Sequence, residues 1–166
     1  MLTLHVAPLL RLTAGGEAVP DGAVLVDGGR VVAVGPMDEV AAAHPDARVR
    51  RWRGTIGPGL VADGVRVFLE ETYHEDPQDP DRPHDRAESV RRGIHELLSR
   101  GVTGVVDDLT DAAVRSAVDH TGLLRLWPGT TSPGLAPGGR ADLAVLATDG
   151  SCVATVLAGR LVHRRA

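Results

Sequence analysis

Gly22-Ala23-Val24-Leu25-Val26-Asp27-Gly28-Gly29-Arg30-Val31-Val32-Ala33-Val34-Gly35-Pro36 is the stretch on which the fold turns. Two β-branched runs flank Asp27-Gly28-Gly29, where glycine supplies the positive φ of a tight turn, so the segment predicts a β-hairpin. Upstream, residues 2–12 read as an apolar strand, or a strand pair interrupted at Pro8. Downstream, residues 36–43 suit a short helix. Residues 48–53 alternate Arg48-Val49-Arg50-Arg51-Trp52-Arg53, the pattern of an edge strand that exposes charge.

A second block opens at the turn signal Gly57-Pro58-Gly59. Val61, Val65, Val67 and Leu69 suggest a strand over 60–70. The acidic stretch 70–85 contains Pro77, Pro80 and Pro83 and has no apolar periodicity, so it reads as a loop. Val90, Ile94, Leu97 and Leu98 then share one face of a helix over 85–100, with Asp85 as its N-cap and Gly101 as its stop. A buried strand at 102–106 completes a strand–helix–strand unit, the piece from which parallel sheets are built. A shorter helix over 110–119 has Thr110 or Asp111 as its cap. Beyond the Gly- and Pro-rich segment 128–139, residues 141–147 form a strand. Residues 152–157 pair with 161–164 across Ala158-Gly159-Arg160. The order is β-rich, then βαβ, then β-rich, an α+β chain.

Composition narrows the function classes. The chain has 166 residues, enough for one compact core. Its aromatic residues are only Trp52, Phe68, Tyr73 and Trp127, which disfavours stacking on nucleobases. A net charge of -4 gives no general attraction to polyanions, so nucleic acid is not an expected partner. No run approaches the roughly 20 apolar residues that span a bilayer, and no signal peptide is evident. The expectation is a cytoplasmic protein without membrane contact. All 18 basic residues are arginine, which excludes a Schiff-base lysine, a lysine general base and a P-loop lysine. Cys152 stands alone, so a disulfide within the chain and a cysteine metal cluster are excluded; its apolar neighbours make it a small buried hydrophobe.

Three stretches carry a family resemblance. They are the hairpin 22–36, the entry Gly57-Pro58-Gly59-Leu60-Val61, and Leu135-Ala136-Pro137-Gly138-Gly139-Arg140-Ala141-Asp142-Leu143-Ala144-Val145-Leu146 with Val156-Leu157-Ala158-Gly159-Arg160-Leu161-Val162. Together they resemble the small composite β-sandwich of the amidohydrolase superfamily, in its imidazolonepropionase-like branch. The resemblance implies a sandwich built from 1–58 and 133–166. The insert 59–132 would be a remnant of the family's metal-binding barrel, with Glu96-Leu97-Leu98-Ser99-Arg100-Gly101-Val102-Thr103-Gly104-Val105-Val106-Asp107 similar to its first helix and second strand. Between Gly59 and Pro133 stand 73 residues, against roughly 200 or more for an eight-fold barrel.

The resemblance also locates a loss. The family's first barrel strand ends in a His-x-His pair that points two imidazoles at one metal. Gly64 and Arg66 occupy those positions here. Glycine offers no ligand, and arginine is a permanent cation.

The candidate ligand-binding residues are therefore new ones: Arg66, Glu70, His74, Asp107 and Asp108, with Glu70, His74 and His84 as weak metal candidates. Each also has a plain structural reading, as a solvated acidic loop or, for Arg66 and Glu70, an ion pair. The leading expectation is a non-catalytic binding or interaction module without a cofactor, working as a homodimer, with a protein partner or with a small anionic ligand. The alternative is a small hydrolase of non-peptide carbon–nitrogen bonds, with one divalent metal such as zinc in a rebuilt site in the 70–85 loop.

Overall fold

The computed structural model describes residues 1–165. It is a mixed α+β fold whose core is mostly sheet. Its first sheet takes strands from both sides of the middle segment. The strands β1 (Leu2–Arg11), β2 (Ala18–Asp27), β3 (Arg30–Pro36), β4 (Arg48–Arg51) and β5 (Thr55–Pro58) precede that segment. The strands β9 (Leu143–Leu146), β10 (Cys152–Leu157) and β11 (Arg160–Arg164) follow it. The order is β11-β10-β9-β5-β1-β2-β3, with β4 branching from β1.

The hairpin read from Gly28-Gly29 is present in register, Asp27 opposite Arg30, with Gly28 at φ +54°. The helix after it, α1 (Met37–Ala43), buries Val40.

Pro8 does not split the first strand, contrary to the second reading offered above. β1 pairs in parallel with β4 at residues 3–6 and with β5 at 9–10, so Pro8 falls in the gap where no parallel neighbour needs its missing N–H. The turn expected at Gly57-Pro58 is instead strand. β5 bridges the two halves of the sheet, pairing with β1 on one side and antiparallel with β9 on the other. Local turn chemistry loses there to ladder bonds on both sides.

The sheet curls until its ends meet. Ala141 N donates to Gly29 O (2.9 Å), Val31 N to Gly139 O (2.9 Å) and Gly159 N to Ala141 O (2.8 Å), which stitches the β2–β3 and β10–β11 turns to one segment. Inside lie Leu10, Val24, Ile56, Leu143, Val145 and Val156, all fully buried. At roughly 1.5–3 kcal/mol for each large apolar side chain, this interior is the main source of stability. A second cluster, with Leu4, Val6, Ala23 and Leu25, lies under α1.

The middle segment forms a second, parallel sheet in the order β6 (Leu60–Ala62), β7 (Val102–Val106), β8 (Leu124–Leu126), with α2 (Arg86–Ser99) and α3 (Ala112–Thr121) as crossovers. It is βαβαβ, one unit longer than expected, because Leu124-Arg125-Leu126 makes a further strand. Asp85 caps α2 by accepting Glu88 N–H, and Asp111 caps α3 by accepting from Ala113 and Val114.

The expected strand over 60–70 ends at Ala62 and becomes a helical turn, π-helical over Val67–Glu71. Gly64 at φ +65° breaks the extended chain. The burial then follows a helical period: Val65 and Leu69 are buried, while Val67 between them is 51% exposed. Both sheets share α2. Its apolar face, with Val90, Ile94, Leu97 and Leu98, belongs to the cluster of Val105, Leu109, Val118 and Leu157 of β10.

Candidate functional site

The C-terminal ends of parallel strands gather loops and exposed polar groups, which is where α/β proteins place their sites. Here that rim is formed by the turn after β6, the Asp107-Asp108 pair after β7, and the start of α3. Arg66, Glu70, Asp107 and Asp108 all lie on it, and each has a partner within the chain.

Arg66 N–H donates to Asp108 Oδ1 (3.0 Å), which holds the broken end of β6 to the end of β7. Its guanidinium pairs with Glu71 (3.2 Å), not Glu70, at the surface. Because β6 stops before it, Arg66 leaves the strand and does not reach inward along it. Glu70 accepts three hydrogen bonds at 2.7 Å, from Thr110 N–H, the Thr110 hydroxyl and Asp111 N–H. Desolvation alone would raise its carboxyl; the donors at Asp111 and Thr110 outweigh it and hold Glu70 below the usual carboxylate range. Asp107 Oδ2 binds Arg125 Nη1 at 2.7 Å, and Arg125 also binds Asp119 of α3 at 2.8 Å.

His74 and His84 sit elsewhere. The His74 side chain is 9% exposed, with Nε2 on the Phe68 carbonyl (2.7 Å) and Nδ1 3.5 Å from Glu96. Its backbone is anchored too, since its N–H donates to Ser89 Oγ (2.9 Å) and its carbonyl accepts from Arg92 Nε (2.7 Å). His84 packs on Tyr73, ring centroids 4.2 Å apart. The loop 70–85 is thus fastened to α2, with Arg82 reaching Glu88 (3.1 Å), and Arg82 also pairs with Asp76 inside the loop (3.8 Å).

The three metal candidates do not come together. Among the described residues, no three His, Cys, Asp or Glu side chains are placed to share one ion. Glu70 faces the start of α3, His74 faces α2, and His84 faces Tyr73. Sequence reasoning missed Arg125 and Asp119. The alternation Leu124-Arg125-Leu126, which places the arginine on the helix-covered side, was the available signal.

A different concavity is the larger one. A groove of about 960 Å³ runs between the first sheet and the free side of the second, bordered by Arg11, Thr55, Asp63, Val106, Thr130 and Ser132. That volume suits a small molecule.

Residues 22–47 match the imidazolonepropionase-like composite domain of bacteria. No curated protein matches the chain in sequence. Among solved structures, a guanine deaminase from Bradyrhizobium japonicum is similar at 18% identity and a TM-score of 0.56, covering 74% of this chain and 34% of its own. The ochratoxinase of A. niger is similar at 20% identity and 0.53, covering 76% and 30%. A molinate hydrolase is similar at 22% identity and 0.52, covering 78% and 30%. The chain thus spans about a third of the length of these proteins. Residues 22–47 are thus similar to an imidazolonepropionase-like composite domain, and the chain shares part of its fold with these three proteins.

Proposed function

We propose that this chain is a binding module on an amidohydrolase-type scaffold, with a degenerate metal site. One observation carries the reading: the charged side chains at the strand ends are each engaged with one another, with backbone amides or with the start of a helix. Glu70 caps the approach to α3, Asp108 anchors Arg66, and Asp107 holds Arg125. At this rim Asp107 keeps one buried oxygen, Oδ1, without a hydrogen bond, and among the described residues no three His, Cys, Asp or Glu side chains converge on it.

The second sheet supplies the binding surface. Among the described residues β8 pairs only with β7, so one edge of the strand presents open backbone groups. Trp127 follows that edge at 84% exposure. A free edge beside an exposed tryptophan is a surface for a second copy or a protein partner. For a small anionic ligand the groove offers Arg11, whose guanidinium also donates to the Gly16 carbonyl (3.1 Å), while Arg66 pairs with Glu71.

Metal analysis and light scattering test this together. Protein purified without chelator should hold less than about a tenth of an equivalent of zinc, iron or manganese, and added zinc should leave its Tm unchanged. Stoichiometric metal with turnover of a carbon–nitrogen substrate would favour the hydrolase reading, which the fold shared with a deaminase and a hydrolase keeps in view. A strict monomer that captures neither a protein partner nor an anionic metabolite would end the binding-module reading.

A further inference from the structure

The joint between the two sheets is built from polar groups. Gly59 N donates to Asp142 O (2.9 Å), and Ser132 Oγ donates to Gly59 O (2.5 Å). The Arg140 guanidinium donates to the Gly122 carbonyl at the end of α3. Within the joint lies a small cavity of about 20 Å³, bordered by Val61, Thr103, Leu124, Ser132, Arg140 and Asp142.

Asp142 is the unusual member. Its side chain is 10% exposed. Oδ1 accepts the Ala158 N–H at 2.7 Å, which ties the β10–β11 turn to the joint. Oδ2 is buried and accepts no hydrogen bond from the chain. Arg140 Nε lies 3.3 Å away without making one. A buried carboxylate oxygen without a hydrogen-bond donor is costly, so folded proteins nearly always supply one.

The cavity has the size and the chemistry to supply it. A single water needs about 10–15 Å³ of such space and two to four polar partners. Thr103, 3% exposed, offers a hydroxyl that can both donate and accept, and Ser132 Oγ keeps lone pairs free after donating to Gly59. A side chain at Gly59 would collide with Thr103, so the missing Cβ is what lets the threonine sit there. Arg140 disfavours a cation and Asp142 disfavours an anion, which leaves a neutral ligand.

We propose that this cavity is a binding site for one structural water, which donates to Asp142 Oδ2, exchanges a hydrogen bond with the Thr103 hydroxyl, and so couples the first sheet to the second. The water gives Asp142 Oδ2, which otherwise has only the Arg140 ion pair, a hydrogen bond, and so turns the carboxylate into a bridge between the sheets.

A high-resolution crystal structure of the full chain is the direct test. One compact density peak within hydrogen-bonding distance of both Asp142 Oδ2 and Thr103 Oγ1 is expected. A cavity without a peak, Oδ2 bonded directly to Arg140, or an anomalous signal from a heavier ion would overturn the proposal. Thr103→Val keeps the shape and removes one partner; it should lower Tm by roughly 3 °C and weaken or abolish the peak. Thr103→Ser keeps the hydroxyl and should retain the peak, so it decides the matter if the valine variant does not fold. A Thr103→Val protein with unchanged Tm and an unchanged peak counts against the bridge.

Discussion

His5 is buried in β1 at 1% exposure, its ring stacked 7° from parallel with Trp52 and its Nδ1 accepting the Trp52 indole N–H at 3.1 Å. Accepting that bond requires an unprotonated Nδ1. Burial, reinforced by the nearby Arg50, lowers its pKa from 6.5 to about 4. The sign follows from linkage. The unfolded chain takes up a proton at His5 near pH 6.5, whereas the folded chain resists until about pH 4, so acid favours unfolding in between. The stabilisation is complete above about 6.5 and is lost as the pH falls through about 4, to at most about 3 kcal/mol. Urea midpoints measured at pH 7.0, 5.5 and 4.5 should therefore fall steadily, and His5→Gln should flatten that part of the profile. Glu70 and Asp85, held low by their hydrogen bonds, add losses as the pH falls below their ordinary values of 4.5 and 3.8. Asp142, raised by burial against the pull of Ala158 N–H and Arg140, acts in the opposite sense.

The elements divide into those that the residues announce and those decided by neighbours. The hairpin at Gly28-Gly29, the cap at Asp85, helix α2 and strand β7 were legible because local turn chemistry, capping and apolar period agree there. β5 was hidden because Gly57-Pro58 looks like a turn until strands on both sides claim its backbone. The turn after β6 was misread because Val65, Val67 and Leu69 fit alternation as well as a helical period, and only the burial of the first and last separates the two. The candidate site suffered in the same way. Asp107 and Asp108 follow the end of β7 and Glu70 lies in the helical turn after β6, but their partners Arg125, the Arg66 amide and Thr110 lie 18–42 residues away. Glu70→Ala removes the acceptor of three hydrogen bonds and should cost about 1–2 kcal/mol, discounted for its solvent access. Chemical denaturation would show it, and a smaller loss in Thr110→Val, which removes one of the three donors, would support the view that α3's approach is what suffers. If Glu70→Ala instead left stability intact and abolished a catalytic activity, the structural role assigned here would be wrong.

The whole molecule carries its two tryptophans in opposite environments. Trp52 is 8% exposed in the interior of the first sheet, and Trp127 is 84% exposed beside the open edge of the second. Acrylamide should quench only the Trp127 component in dilute protein. If that edge is the binding surface, quenching should diminish as concentration or partner rises, and Trp127→Ser should abolish the change while leaving Tm within about 1–2 °C, as expected for a surface position. Quenching that stays constant under association would move the interface elsewhere. No helix among the described residues is long and apolar enough to cross a membrane.

β5 pairs Thr55 with Leu146 and Ile56 with Val145, and this register governs how the chain can be made. The first sheet cannot close until some ninety intervening residues have been synthesised, whereas β6–α2–β7–α3–β8 is assembled from near neighbours. Contacts of large sequence separation form late and slowly. On the ribosome, β1, β2, β3 and β5 therefore emerge early with Leu10, Val24 and Ile56 uncovered, waiting for β9 and β10. That interval is when the apolar face of the hairpin is open to wrong partners, so aggregation during synthesis, more than instability of the finished fold, is the hazard this architecture accepts.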